Sequence, residues 1–193
     1  MAATILDLPN PVHPSFIDRL DGDFLEYYNK NIAIKPATHT VDLAEVRQNP
    51  KKFAWPWCKD YSDLPFVNDI KITSGDGFQF TIRTYHPDSG RFGPGPFPIH
   101  INLHGGGFCF GDLTSEAEWC LLVRNEVGII VVDVDYRLTP VRQAYAHAPD
   151  INGLSDSISI GGVSAGGFYS CIVQQLARDA NLPLKLVRAP AWA

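Results

Sequence analysis

The period of the apolar positions changes along the chain. From Ser15 to about Asn31, Phe16, Leu20, Phe24 and Tyr27 recur at helical spacing, with Ser15 placed as a cap and Asp18 in the first turn. Thr40 to Asn49 reads as a second helix stopped by Pro50, because proline drives the residue before it out of helical backbone. Strand-like runs follow. Asp69–Thr73 and Phe78–Tyr85 flank Ser74-Gly75-Asp76-Gly77, which predicts an antiparallel hairpin. Pro87 to Pro98, rich in Gly and Pro, reads as a connection.

Beyond it strands and helices alternate. Pro98–Leu103 is a strand, and Glu116–Val127 a helix with Trp119, Leu122 and Val123 on one side. Gly128–Val134 is a nearly continuous β-branched run, as in a strand buried on both faces. Ser157–Gly161 reads as a short buried strand. Gly166–Ala180 reads as a helix carrying Phe168, Cys171, Ile172, Val173, Leu176 and Ala177. Asn181, tolerant of left-handed backbone, and Pro183 end that helix, and Leu184–Arg188 is the strand after it. The alternation predicts an α/β sheet with an antiparallel start.

Composition narrows the function classes. At 193 residues and 45% hydrophobic content the chain is one domain's worth with a real core. A net charge of -5 provides no basic footprint for nucleic acid or an anionic membrane. No secretory pattern opens the sequence, and no run approaches the ~18 apolar residues of a membrane helix. Cys58, Cys109, Cys120 and Cys171 are widely spaced without C-x-x-C, which suits free thiols in a reducing interior, and a cytoplasmic location is expected. His and Cys show no metal-ligand spacing, so neither metal nor cofactor is implied.

The chemistry concentrates in two glycine motifs. Gly162-Val163-Ser164-Ala165-Gly166 sits between strand and helix, the context in which G-x-S-x-G forms a nucleophile elbow. A sharp turn would lift the Ser164 hydroxyl clear of the backbone, with small residues required at its corners. An ordinary glycine-rich strand–helix turn is the alternative. Earlier, His104-Gly105-Gly106-Gly107 follows another strand directly, and successive glycines let backbone N–H groups approach a developing oxyanion. No phosphate-loop signature accompanies it.

Together with Asp135-Tyr136-Arg137-Leu138-Thr139-Pro140, these motifs resemble the hormone-sensitive-lipase-like group of α/β-hydrolases over roughly Ile70 to Ala189. The resemblance implies an α/β-hydrolase fold with a mostly parallel sheet and an N-terminal helical cap. Residues 1–65 would form the cap helices and linker, and 66–193 a partial core within one domain. It implies a serine carboxylesterase acting on a small-molecule acyl ester. Ser164 would be the nucleophile, Gly105, Gly106, Gly107 and Ala165 would form the oxyanion hole, and His104, Gly162 and Gly166 would support the motifs. By the same resemblance Phe53-Ala54-Trp55-Pro56-Trp57 would either line an acyl pocket or pack the cap onto the body.

The chain departs from the family in two places. In the family the acid and then the base follow the serine along the chain. Here residues 165–193 contain one acid, Asp179, near the far end of the serine's own helix, and no histidine. No triad acid or base is present on this reading, and the family's C-terminal strands and helices are missing. Between Pro140 and Ile158, Val141-Arg142-Gln143-Ala144-Tyr145-Ala146-His147 matches only the tail of a longer family helix. The expectation is a truncated member with weak or no activity. A non-catalytic small-molecule-binding member and a non-functional truncated product are the alternatives. Of the other histidines, His13, His39 and His86 read as surface residues, His100 as facing a helix, and His104 as bracing the glycine loop.

Overall fold

The computed structural model describes residues 8–37, 40–108, 110–136 and 151–188. His39, Cys109, His147 and the Arg137–Pro140 part of the third motif lie outside the described residues, as does the departure at 141–150. The chain divides into an N-terminal unit ending at Trp57 and a larger one from Cys58.

Among its described residues the N-terminal unit holds four short helices: α1 (Pro14–Ile17), α2 (Gly22–Asn31), α3 (Leu43–Gln48) and α4 (Pro50–Phe53). The single helix expected from Ser15 is therefore two. Asp21 causes the break, since its Oδ1 accepts from Asp23 N (2.9 Å) and Phe24 N (3.1 Å) and so starts α2 afresh. His13 rather than Ser15 caps α1. Asp42 caps α3 in the same way, accepting from Ala44 N at 2.7 Å. Pro50 ends α3 as expected and also opens α4 at its first position, where a missing N–H costs nothing. Trp55 and Trp57 stack at 5.3 Å.

Among the described residues of the larger unit one six-stranded sheet runs in the order β1 (Val67–Thr73), β2 (Gln79–Tyr85), β4 (Ile130–Val134), β3 (Phe97–Leu103), β5 (Gly153–Gly162), β6 (Leu184–Arg188). The first two junctions are antiparallel and the remaining three parallel. This is the α/β sheet with an antiparallel start that the alternation predicts. Helices α5 (Ser89–Phe92), α6 (Ala117–Val127) and α7 (Ala165–Asp179) connect the strands.

Strand alternation sorts the core into two faces. Ile99, Ile101, Leu103, Ile130, Val132, Val134, Ile158 and Ile160 face the side where Tyr169, Val173 and Ala177 of α7 pack. Tyr85 and Val131 face Cys120, Leu121 and Val123 of α6. Each such aliphatic side chain taken out of water contributes about 1.5–3 kcal/mol. His100, Asn102 and Asp133 occupy the polar alternate positions of β3 and β4, and all are buried.

Three expectations are corrected by packing. The elbow strand β5 begins at Gly153 rather than Ser157, because its entrance pairs with β3 at Phe97 while its side chains at Ser155–Ser157 stay exposed. In α6 the buried positions are Ala117 and Cys120, whereas Leu122 is exposed. In α7 Gly166, Gly167, Ser170 and Ala177 face inward, and Phe168, Ile172 and Leu176 are exposed. Both helices lie close to the sheet, and a close approach selects small side chains over large apolar ones.

Candidate active site

Parallel pairing of β3 with β5 sets Leu103 beside Gly162, so the two glycine motifs leave the same end of the sheet from adjacent strands. Ser164 has φ 53° and ψ −119°, a backbone conformation that side chains rarely adopt. Gly166 N–H donates to Val163 O (2.9 Å), closing the turn, and Phe168 N–H donates to Ser164 O (3.0 Å), beginning the helix. Ser164 is exposed at the first turn of α7, where aligned peptide dipoles leave about +0.5 charge. The corner glycines have no room for a side chain. A Cβ on Gly166 would overlap the Leu103 carbonyl, and one on Gly162 would meet the same oxygen and the Gly166 backbone.

The other motif folds over this elbow. A Cβ placed on Gly105 would sit 3.0 Å from Val163 O and 3.6 Å from Ser164 Cβ. Gly106 has φ 131° and Gly107 φ 59°, and Phe110 N–H closes the loop on Gly106 O at 2.9 Å. His104 is buried, and its Nδ1 lies 2.8 Å from Gly105 O. A carbonyl only accepts, so Nδ1 carries the proton. The Tyr136 hydroxyl donates to His104 O (2.6 Å) while its ring stacks on the imidazole at 4.3 Å. Burial raises the Tyr136 phenol above its ordinary range, which keeps it a neutral donor.

Gly105, placed in the oxyanion hole by the resemblance, donates its N–H to Glu116 Oε1 at 2.9 Å. Among the described residues no backbone acceptor takes the N–H groups of Gly106, Gly107 or Ala165.

Beneath the loop, Asn102 Nδ2 donates to Asp133 Oδ1 at 2.8 Å, both groups being buried on neighbouring strands. Burial pushes the Asp133 carboxyl up to about 8, with Glu116 reinforcing the shift and the Asn102 hydrogen bond opposing it. Burial also raises Asp135 above the usual carboxylate range. Sequence reading missed Glu116, which it took only as a helix start, and Asp133, whose signal was a carboxylate inside an otherwise apolar strand.

Four rings gather beside the loop. Phe108, at φ 64° and largely exposed, meets Phe168 (5.5 Å) and Tyr169 (5.2 Å) edge-on, and Tyr136 meets Tyr169 at 5.3 Å. Such pairs contribute about 0.5–1.5 kcal/mol beyond their burial.

Asp179 ends α7 in an exposed pair with Arg178, roughly 20 Å along the helix from Ser164 at ~1.5 Å per residue. His13 is exposed, as expected. His86 is half-buried rather than a surface residue, and burial lowers its pKa. His100, on the strand face that carries Val131, lies 2.9 Å from Ser159 Oγ on β5. Among the described residues no three His, Cys, Asp or Glu side chains cluster as metal ligands, and no helix is long and apolar enough to cross a membrane.

A strand–turn–serine–helix elbow covered by a glycine loop defines a class of fold. Residues 100–191 match the model of a family described by its α/β-hydrolase fold, and the chain has that fold. It is similar to the carboxylic ester hydrolase LipN of Mycobacterium tuberculosis, 38% identical over 128 residues, covering 58% of this chain and 33% of that protein. A versiconal hemiacetal acetate esterase of Dothistroma septosporum is 32% identical over 133 residues, covering 61% of this chain and 40% of the esterase. Among solved structures, an ester hydrolase from the metagenome of Lake Arreo shares the fold with a TM-score of 0.67 at 24% identity, over 88% of this chain and 56% of that one. The chain thus spans between a third and three fifths of these proteins' lengths.

Proposed function

We propose that the chain carries the nucleophile half of a serine ester-hydrolase site acting on small acyl esters. The observation that carries this reading is Ser164 at φ 53°, exposed at the head of α7. In the reaction, Ser164 Oγ bonds to the ester carbonyl carbon and the carbonyl electron pair moves onto oxygen. The oxyanion is held by the N–H groups of Gly106, Gly107 and Ala165, and collapse of the adduct expels the alcohol with the proton given up by Oγ. Water then cleaves the acyl-serine ester to release the acid and restore the hydroxyl. Gly162 and Gly166 keep the elbow tight, while His104 braces the loop. The Oγ proton needs a base, and residues 165–193 contain no histidine. In a serine hydrolase, loss of the base lowers kcat about 10⁶-fold and leaves ~10³–10⁴ over water. The 193-residue chain by itself is therefore a feeble esterase.

Chemical rescue tests the proposal. Turnover of p-nitrophenyl butyrate and labelling by a fluorophosphonate are measured for the chain and for Ser164→Ala, with and without imidazole as a surrogate base. The expected result is slow turnover and labelling that rise with imidazole and vanish in the variant. Equal rates in Ser164→Ala would remove the serine from the mechanism. Turnover at full esterase rates without imidazole would overturn the predicted weakness.

A further inference from the structure

We propose that Glu116 is a positioning residue: its carboxylate holds the Gly105 amide and thereby sets the direction in which Gly106 and Gly107 present their N–H groups beside Ser164. The assignment rests on reading those N–H groups as oxyanion donors.

Glu116 stands at the N-cap of α6, where an acidic side chain ordinarily accepts from the first turn of its own helix. It makes no such bond. Oε1 reaches across to Gly105 N at 2.9 Å instead. The frame that delivers it is built from short-range bonds. Thr114 N and Oγ1 both donate to Asp112 Oδ1 (2.8 and 2.6 Å), and Asp112 N donates to Ser115 Oγ at 3.0 Å. On the helix side, Cys120 N–H donates to Glu116 O at 3.0 Å.

Peptide planarity transmits the constraint. The unit joining His104 and Gly105 is pinned at its oxygen by the Tyr136 hydroxyl (2.6 Å) and at its N–H by Glu116 (2.9 Å). The next unit carries Gly105 O, which accepts from His104 Nδ1 at 2.8 Å, and the Gly106 N–H. Donation to that oxygen polarises the N–H opposite and strengthens it as a donor. Glycine at 105 permits rotation between the two planes, so the first must be clamped for the second to point reliably. On this account the position of the acceptor atom directs the peptide plane, and its charge only strengthens the hold.

The full chain labelled with ¹⁵N-glycine provides a test that needs no turnover. Amide exchange at Gly105 is compared among the wild type, Glu116→Gln, Glu116→Asp and Glu116→Ala. Loss of a hydrogen bond to a charged group is expected to speed exchange about tenfold or more in Glu116→Ala and in the shortened Glu116→Asp. Glu116→Gln, which keeps a neutral acceptor oxygen at the same reach, is expected to speed exchange by about fivefold at most, less than either of the other variants. The Gly106 and Gly107 resonances should move only in the Asp and Ala variants. If Glu116→Ala fails to fold, Glu116→Asp carries the comparison. Unchanged Gly105 exchange in a folded Asp or Ala variant would overturn the assignment. Failure of Ser164-dependent labelling would instead count against the esterase reading.

Discussion

A Cβ on Gly166 would lie 1.8 Å from the carbonyl oxygen of Leu103. The first turn of α7 thus touches the end of β3 through bare backbone, and that contact holds the serine elbow against the glycine loop. Backbone on both sides cannot rotate aside. Gly166→Ala is expected to destabilise by about 3 kcal/mol, the upper part of the overpacking range. Gly162→Ala, whose Cβ would lie 2.2 Å from the same oxygen, should cost a similar amount. Urea midpoints measure both, and a loss below about 1 kcal/mol would mean the contact is looser than described.

Ser164 holds φ 53° and ψ −119°. Such backbone stores about 1–3 kcal/mol in a residue with a side chain. Glycine relieves it and gives back about 0.5–1 kcal/mol through chain entropy. Ser164→Gly is therefore expected to melt higher than Ser164→Ala in thermal unfolding, with both losing fluorophosphonate labelling. The reverse order of melting temperatures would show that the elbow is unstrained.

Asp133 imposes a pH dependence whose sign follows from its burial. Its carboxyl titrates near 8 in the folded chain against 3.8 as its ordinary value. Below the ordinary value both states hold the proton. Between about pH 4 and pH 8 the folded chain keeps a proton that the unfolded chain releases, so stability falls as pH rises. The slope from this group is at most about 1.4 kcal/mol per pH unit, and it levels off above the folded value. Asp133→Asn keeps the oxygen that accepts from Asn102 and cannot titrate. Urea midpoints from pH 5 to 8 should decline less steeply in the variant, and parallel curves would refute a protonated Asp133.

Arg83 is buried in β2 and grips Asp69 with two parallel bonds, Nε–Oδ1 (2.6 Å) and Nη2–Oδ2 (2.8 Å), while Nη1 reaches Asp60 at 2.8 Å. Breaking a fully buried pair costs about 3–5 kcal/mol. Here the carboxylates of Asp69 and Asp60 are 39% and 57% exposed and regain water. Arg83→Met is accordingly expected to cost about 2 kcal/mol in chemical denaturation. Arg83→Lys should recover only part of that, because an ammonium cannot form the fork. Full recovery by lysine would show that charge alone matters.

Much of the architecture was legible because it is written in local preference. Asn181 was read as a left-handed stop and has φ 54°. The Ser74–Gly77 turn, the buried run of β4 and the last strand followed from residue type and period. Errors arose where a short polar side chain overrode periodicity, as Asp21 did in splitting the first helix. They arose again where proximity to the sheet narrowed the buried face of a helix to its small residues and their neighbours, leaving Leu122 and Leu176 outside.

For the site, the sequence by itself determined the parts: a serine with small neighbours between strand and helix, three glycines after another strand, and no histidine beyond Ser164. Such features depend only on what a residue can adopt or ionise. Tertiary structure alone decided how the parts meet. Register between β3 and β5 brings Leu103 beside Gly162 and so sets the glycine loop over the elbow. The turn at Asp112–Ser115 precedes Glu116, whose Oε1 accepts the Gly105 N–H. Burial between β2 and β3 makes Asp133 a neutral acid near pH 7. Hydrogen-bond partners and dielectric surroundings are set by groups distant in sequence, and a linear pattern does not encode which of them arrives first.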